Sequence, residues 1–167
     1  MTIRPATPAD MADVARIFAH YVTTSTATFE LTPPTAETWA GKLAAIAGAG
    51  WPFLVVTDDG VSGDVVGFAY VSAWRPRPAY AQTVEDTIYL APDAVGRGLG
   101  ARLLAQLLDV AAAAGAREVV AVIADADSTV SLALHRRAGF TEAGRLERVG
   151  HKFDRWLGTT LLQCSLR

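Results

Sequence analysis

Three glycines at alternating positions, in Val95-Gly96-Arg97-Gly98-Leu99-Gly100, separate a strand-like run from a leucine-rich helical run. A bare tight turn needs one glycine; three let the backbone come close to a ligand. They also leave the first N–H groups of the following helix pointing outward, and those donors together with the helix dipole make an anion site. Arg97 and Arg102 add positive charge nearby. A P-loop reading fails because no Gly-Lys-Ser or Gly-Lys-Thr follows. A dinucleotide turn is a closer rival, since Gly96-x-Gly98-x-x-Ala101 fits its loose form and Glu118 lies near the expected acidic position. Against it, the turn sits mid-chain, with too few residues after it for a doubly wound half-sheet.

The pattern around the turn predicts a mixed α/β fold. Ile3-Arg4 opens a short strand, and Thr7-Pro8-Ala9-Asp10 supplies helix-entry chemistry. Met11, Val14, Ala15, Phe18 and Tyr21 then fall on one face at helical period. Thr35 to Ala49 predicts a second helix, capped by Thr35 and stopped at Gly48-Ala49-Gly50. Phe53–Thr57 and Val65–Val71 read as strands joined through Asp58-Asp59-Gly60, a hairpin-type connection. After the loop Trp74-Arg75-Pro76-Arg77-Pro78-Ala79-Tyr80, a third strand is expected over Thr83–Leu90. A long helix over Leu99–Ala114 follows, with Leu103, Leu104, Leu107, Val110, Ala111 and Ala114 inward and Gly115 as its stop. Glu118–Ile123 is a continuous apolar run typical of a central strand, Ser131–Ala138 a short helix closed by Gly139, and Trp156–Leu166 a final strand. The order gives a sheet that is antiparallel first and contains one parallel strand–helix–strand unit.

The 167 residues suit one domain over 1–167. A net charge of -2 and a pI near 5.9 provide no basic field for nucleic acid or anionic lipid, so phosphate binding has to be local. The single Cys164 excludes an intrachain disulfide framework and a multi-thiolate metal site, and its apolar strand context marks it as a small buried hydrophobe. With no signal-peptide pattern at Met1-Thr2-Ile3-Arg4-Pro5 and no membrane-length apolar run, a cytoplasmic location is the default.

The strand, Pro92, the turn ending Gly98-Leu99-Gly100, the leucine-rich helix and Leu134-x-x-x-x-Gly139-Phe140 resemble the acetyl-CoA motif of the GNAT acetyltransferase superfamily. Within it, segments across the chain resemble the phosphinothricin and L-amino-acid (methionine sulfoximine) N-acetyltransferase branch. They are Ile3-Arg4-x-Ala6-Thr7-x-x-Asp10, Thr24 to Glu30, Ala69-Tyr70, Ala79-Tyr80-x-x-Thr83-Val84-Glu85, Leu134-His135 and Val149-Gly150-x-Lys152-x-x-Arg155-Trp156. There are two departures. Val95 stands where the superfamily usually has Gln or Arg, and Ser128, followed by Ser131, stands where Asn commonly opens an Asn-x-x-Ser segment. The expected grip on the pyrophosphate therefore shifts toward backbone N–H groups.

The resemblance implies a GNAT-type, mostly antiparallel sheet flanked by helices, acetyl-CoA as cosubstrate with no metal, and a homodimer. It implies a role for Glu85 as the base that takes the proton from the acceptor ammonium, through a water, and for backbone N–H groups around Tyr89 and Leu90 as carbonyl donors. His135, where many superfamily members carry a Tyr acid, is expected to protonate the leaving thiolate or assist the base. The cofactor is expected along Ile88, Tyr89, Leu90, Val95, Gly96, Arg97, Gly98, Leu99 and Gly100, with Ser128 and Ser131. Arg75 and Arg77 are candidates to pair with an acceptor carboxylate or phosphinate, and Phe29, Trp74, Pro78, Ala79 and Tyr80 to wall its side chain. Lys152 and Arg155 read as structural or interface residues. The function expected is direct acetyl transfer to the α-amine of a small amino acid or analogue. A different amine (protein N-terminus, antibiotic or polyamine) and a non-catalytic acyl-CoA-binding module are the alternatives.

Overall fold

The computed structural model describes residues 1–59, 63–126 and 128–167. Seven strands form one sheet in the order β1-β2-β3-β4-β5-β7-β6: β1 Thr2–Pro5, β2 Phe53–Thr57, β3 Val65–Ala73, β4 Thr83–Leu90, β5 Glu118–Ala124, β6 Thr141–Lys152 and β7 Arg155–Ser165. Every neighbouring pair is antiparallel except β4 and β5, the two strands joined by the crossover helix α3, Leu99–Ala113. The predicted architecture, antiparallel first with one parallel unit, is the one found. Gly60 of the expected β2–β3 connection lies outside the described residues; the antiparallel pairing of the two strands stands.

At the entry to α1 (Met11–Thr24), the Asp10 carboxylate accepts the backbone N–H and hydroxyl of Thr7 and both terminal nitrogens of Arg4. Those charge-assisted bonds hold its pKa down to about 2, with the Arg4 hydrogen bond contributing most. A carboxyl depressed in the folded state stabilises at pH above its unfolded value of 3.8, and that contribution is lost as pH falls toward 2. Asp10→Ala should therefore cost about 2 kcal/mol at neutral pH, read from urea midpoints. A midpoint unchanged at pH 7 would refute the assignment.

The α1 face is wider than expected, with Ile17 and Val22 buried beside Met11, Val14 and Phe18. Thr35 caps α2 (Ala36–Gly48) by accepting the Thr38 N–H. In α3 the fully buried set is Leu103, Leu104, Leu107 and Ala111, with Leu99 and Leu108 beside them. Val110 and Ala114 are exposed instead of inward: Val110 lies at the margin of the buried face, beyond Leu103, and Ala114 is the C-cap, past the last helical residue. The helix α4 runs Thr129–Arg137, starting two residues before the predicted Ser131. The largest departure is β6, a twelve-residue strand with no counterpart in the sequence reading. It lies at the sheet edge and is mostly exposed on both faces, so its charged residues give no hydrophobic period.

The sheet separates two layers. On one side Phe18 of α1 and Trp39 of α2 pack edge-on against Tyr89 and Phe68. On the other, α3 and α4 lie over the alternate residues, with Leu134 of α4 and Leu90 of β4 flanking Gly100. The site sits where the sheet opens between these layers.

Candidate active site

Pairing between β4 and β5 stops at Glu85↔Val120, although β4 continues to Leu90 and β5 to Ala124. The strands splay beyond that point, and a cleft of about 730 Å³ fills the opening, lined by residues 85–90 of β4 and 121–124 of β5. Val122, expected in a doubly covered strand, is exposed because it faces this opening. Strand geometry fixes which backbone groups face it. The Ala91 N–H bonds to Val66 O, and Thr83 O accepts from Trp74, so odd-numbered positions of β4 direct their N–H and C=O toward β3. Ile88 and Leu90 direct theirs toward the gap. Of the two backbone donors expected, Leu90 faces the cleft; Tyr89 turns its N–H to β3 and contributes its ring. Tyr21 donates to Leu90 O at 2.7 Å and Tyr89 to Ala27 O at 3.0 Å, fixing the end of the strand.

The glycine turn closes this end. Gly96 and Gly98 have φ of 82° and 75°, a conformation that costs an L residue with a Cβ, and open space surrounds both. Gly98 is the N-cap of α3, so the N–H groups of Leu99, Gly100 and Ala101 have no carbonyl partner within the helix. Gly100 has no such conformational demand, and a Cβ there would make ordinary contact with Leu134 and Leu90. Arg97 is held 3.8 Å from Asp58.

Adjacent carboxylates of β4 point to opposite layers. Glu85 faces the α1/α2 side among Lys42, Tyr70 and Tyr89. Burial pushes its carboxyl above the ordinary carboxylate range and the Asp86 charge adds to that, while Lys42 and Arg75 pull it down. Asp86 faces α4, where its Oδ2 lies 2.9 Å from His135 Nε2, with the two side chains 1% and 3% exposed. His135 Nδ1 lies 2.8 Å from Ser131 O, and a carbonyl only accepts, so Nδ1 carries hydrogen. Nε2 and the carboxylate therefore hold one proton between them. Burial opposes the charged ring, but the Asp86 hydrogen bond and charge outweigh it, so the His135 pKa is raised. Asp86 Oδ1 is buried with no hydrogen-bond partner among the described residues.

Of the residues singled out from sequence, the cleft brings together Glu85, His135, Ile88, Tyr89, Leu90, Val95, Gly100, Ser128, Ser131 and Phe29. Gly96, Arg97, Gly98 and Leu99 form the turn at its edge. Trp74, Arg75, Arg77, Pro78, Ala79 and Tyr80 do not line it. Their segment leaves β3 and turns through a short 3-10 turn at Pro78–Tyr80, which carries it outside the walls. Arg75 stacks on Trp74 at 4.8 Å and reaches Glu85 by its field alone. Sequence reasoning missed Lys42, Tyr70 and Asp86. The Glu85-Asp86 pair was a usable signal, since successive strand residues must face opposite layers.

Phe29 is seated over Gly150, where a Cβ would collide with its ring, and Lys152 Nζ donates to Thr28 O at 2.8 Å. These contacts tie the segment after α1 to the β6–β7 hairpin. No group of three or more His, Cys, Asp or Glu among the described residues is placed to hold a metal ion.

The family model described as Acetyltransferase (GNAT) family matches residues 14–140. The chain is 41% identical over 165 residues to phosphinothricin N-acetyltransferase of Alcaligenes faecalis, an alignment that spans 99% of this chain and 82% of that one. It is 37% identical over 165 residues to the L-methionine sulfoximine/L-methionine sulfone acetyltransferase of Pseudomonas paraeruginosa, spanning 99% and 94%. Among solved structures, a GNAT superfamily phosphinothricin acetyltransferase from Sinorhizobium meliloti, in complex with AcCoA, superposes with a TM-score of 0.93 at 41% identity, covering 99% of this chain and 88% of that one.

Proposed function

We propose that the chain, which belongs to the GNAT acetyltransferase family and draws its acetyl group from acetyl-CoA, delivers that group to the α-amine of a small amino acid or a close analogue such as phosphinothricin, methionine sulfoximine or methionine sulfone. The observation that carries this reading is the splay of β4 from β5, with a phosphate-compatible turn at one end and the raised carboxyl of Glu85 on its wall. The N–H groups of the first α3 turn and the open space at Gly96 and Gly98 fit the pyrophosphate of CoA, and the unpaired edge of β4 fits an extended pantetheine arm. Val95, Ser128 and Ser131 line the same cleft.

When bound, acetyl-CoA supplies the electrophilic thioester carbonyl. Glu85 accepts the proton of the acceptor ammonium, directly or through one water, which leaves a neutral amine to attack. The Leu90 N–H, turned into the gap, polarises the carbonyl oxygen. After attack the nitrogen gives up its second proton to solvent, the proton held between His135 Nε2 and Asp86 passes to the departing thiolate, and solvent restores it to the pair. Arg75 and Arg77 attract the acceptor's carboxylate from the rim, while Phe29 walls its side chain. The chain works as one N-acetyltransferase domain over residues 1–167 in the cytoplasm. The described helices include none long and apolar enough to cross a membrane.

A homodimer is part of the same reading. Leu146, Val149, Phe153 and Trp156 stand 49–56% exposed on the β6–β7 hairpin, apolar surface that a second copy would cover. Sedimentation should find a dimer that Trp156→Lys weakens; a wild-type monomer at all concentrations would contradict it.

The acceptor class is tested by competition. The protein is incubated with acetyl-CoA and an equimolar mixture of amino acids, phosphinothricin, methionine sulfone and spermidine, and the products are weighed by mass spectrometry. N-acetylated amino acids or analogues are expected, and acetylated spermidine alone would overturn the assignment. Acetyl-CoA without acceptor should leave the protein's own mass unchanged, because transfer is direct.

A further inference from the structure

Lys42 projects from α2 into the same wall of the cleft as Glu85. Its ammonium rests 4.8 Å from the centroid of Tyr70 and 5.3 Å from that of Trp39, and the two rings fix it over the cleft by cation–π attraction. Among the described residues no carboxylate lies within 4 Å of this ammonium. Aromatic faces attract the charge without using it up as an ion pair would, so the N–H donors remain available. Glu85 feels two cations from different elements, Lys42, which lines the cleft from α2, and Arg75, which acts from the rim after β3. The carboxylate of an α-amino acid is adjacent to the reacting amine and satisfies one of them. With that carboxylate drawn to the rim arginines, Lys42 is left inside the cleft for a second oxyanion, and on an amino acid that oxyanion can only belong to the side chain. The aromatic wall formed by Tyr70, Phe18 and Phe29 suits the methylenes linking the two ends.

We propose that Lys42 is a specificity-determining residue that takes an oxyanion on the acceptor's side chain, so that amino acids carrying a phosphinate, phosphonate or carboxylate side chain are preferred over those with neutral side chains. This rests on the amino-acid reading of the acceptor and sharpens it to a dianionic class. It also bears against polyamines, which would bring further positive charge to a wall that already holds the Lys42 ammonium.

The test compares kcat/KM for phosphinothricin, whose side chain is anionic, with that for methionine sulfone, whose side chain is polar and neutral. Wild type, K42R, K42M and K42E are measured at low and high salt. The phosphinothricin-to-sulfone ratio is expected to fall about tenfold in K42M and about 100-fold in K42E, the range of a charge-assisted hydrogen bond and of its reversal. The loss should appear mainly in KM, and K42R should recover most of it. In wild type the ratio should shrink as salt rises, a readout that needs no variant and that a packing role for the lysine would not produce. Equal losses on both acceptors in K42M, or a wild-type ratio indifferent to salt, overturn the role of Lys42 while leaving amino-acid acetylation standing. A wild type that acetylates neither acceptor nor any amino acid overturns the acceptor reading, and the role of Lys42 with it.

Discussion

Glu85→Gln is expected to lower kcat/KM by about 10²- to 10⁴-fold, the contribution typical of a positioned general base. The amide keeps the volume and polarity of the carboxylate but accepts no proton, so the acceptor stays an ammonium and cannot attack. The pH profile carries the sharper signature. In wild type the rate should decline on the acid side as Glu85 becomes protonated, with a midpoint above the ordinary carboxylate range because burial and the Asp86 charge both raise it. In the variant that limb should vanish. The thermal shift given by acetyl-CoA should persist, since the pyrophosphate turn lies at the other end of the cleft. Full kcat/KM across pH in Glu85→Gln would remove the residue from the mechanism.

Asp86→Ala should act first on stability. It leaves His135 buried at 3% exposure with its partner gone, and breaking a buried pair costs about 3–5 kcal/mol. The sign with pH follows from the raised His135 pKa. The pair's contribution is fully present below the unfolded value of 6.5 and is lost as pH rises through the higher folded value. Urea midpoints at about pH 6 and about pH 8 should therefore converge, with the wild type losing stability and the variant, which lacks the pair, losing much less. A wild type equally stable at both would mean that His135 is held neutral in the folded chain. Because Asp86 faces the layer opposite Glu85, the two substitutions should also separate kinetically: one removes the acid-limb titration, and the other slows departure of the thiolate.

The parts of this account that sequence made legible are those set by local chemistry. The glycine turn could be read because αL backbone and a helix N-terminus demand particular residues, and Gly96 and Gly98 adopt positive φ. Thr35 announced α2 by its capping chemistry, and α3 was visible in its leucine stripe. The strand β6 was invisible, since an edge strand exposed on both faces need not alternate. Lys42 was hidden for a different reason. An exposed lysine on a weakly amphipathic helix looks solvated until the tertiary fold lays it across Tyr70 and Trp39. The arginines of the segment after β3 were conspicuous, yet they lie at the rim, because where a loop's side chains reach depends on the walls beneath it. Gly100, the third glycine of the most informative motif, turns out to need no special conformation.

The most direct measurement is the initial rate of free-thiol release from acetyl-CoA, taken acceptor by acceptor over amino acids, methionine sulfoximine, methionine sulfone and phosphinothricin. Thiol release that depends on one or more of these acceptors, one thiol for each N-acetylated product, is the predicted result. Thermal stabilisation by acetyl-CoA with no thiol release for any amine would contradict it, leaving a module that binds the cosubstrate without using it.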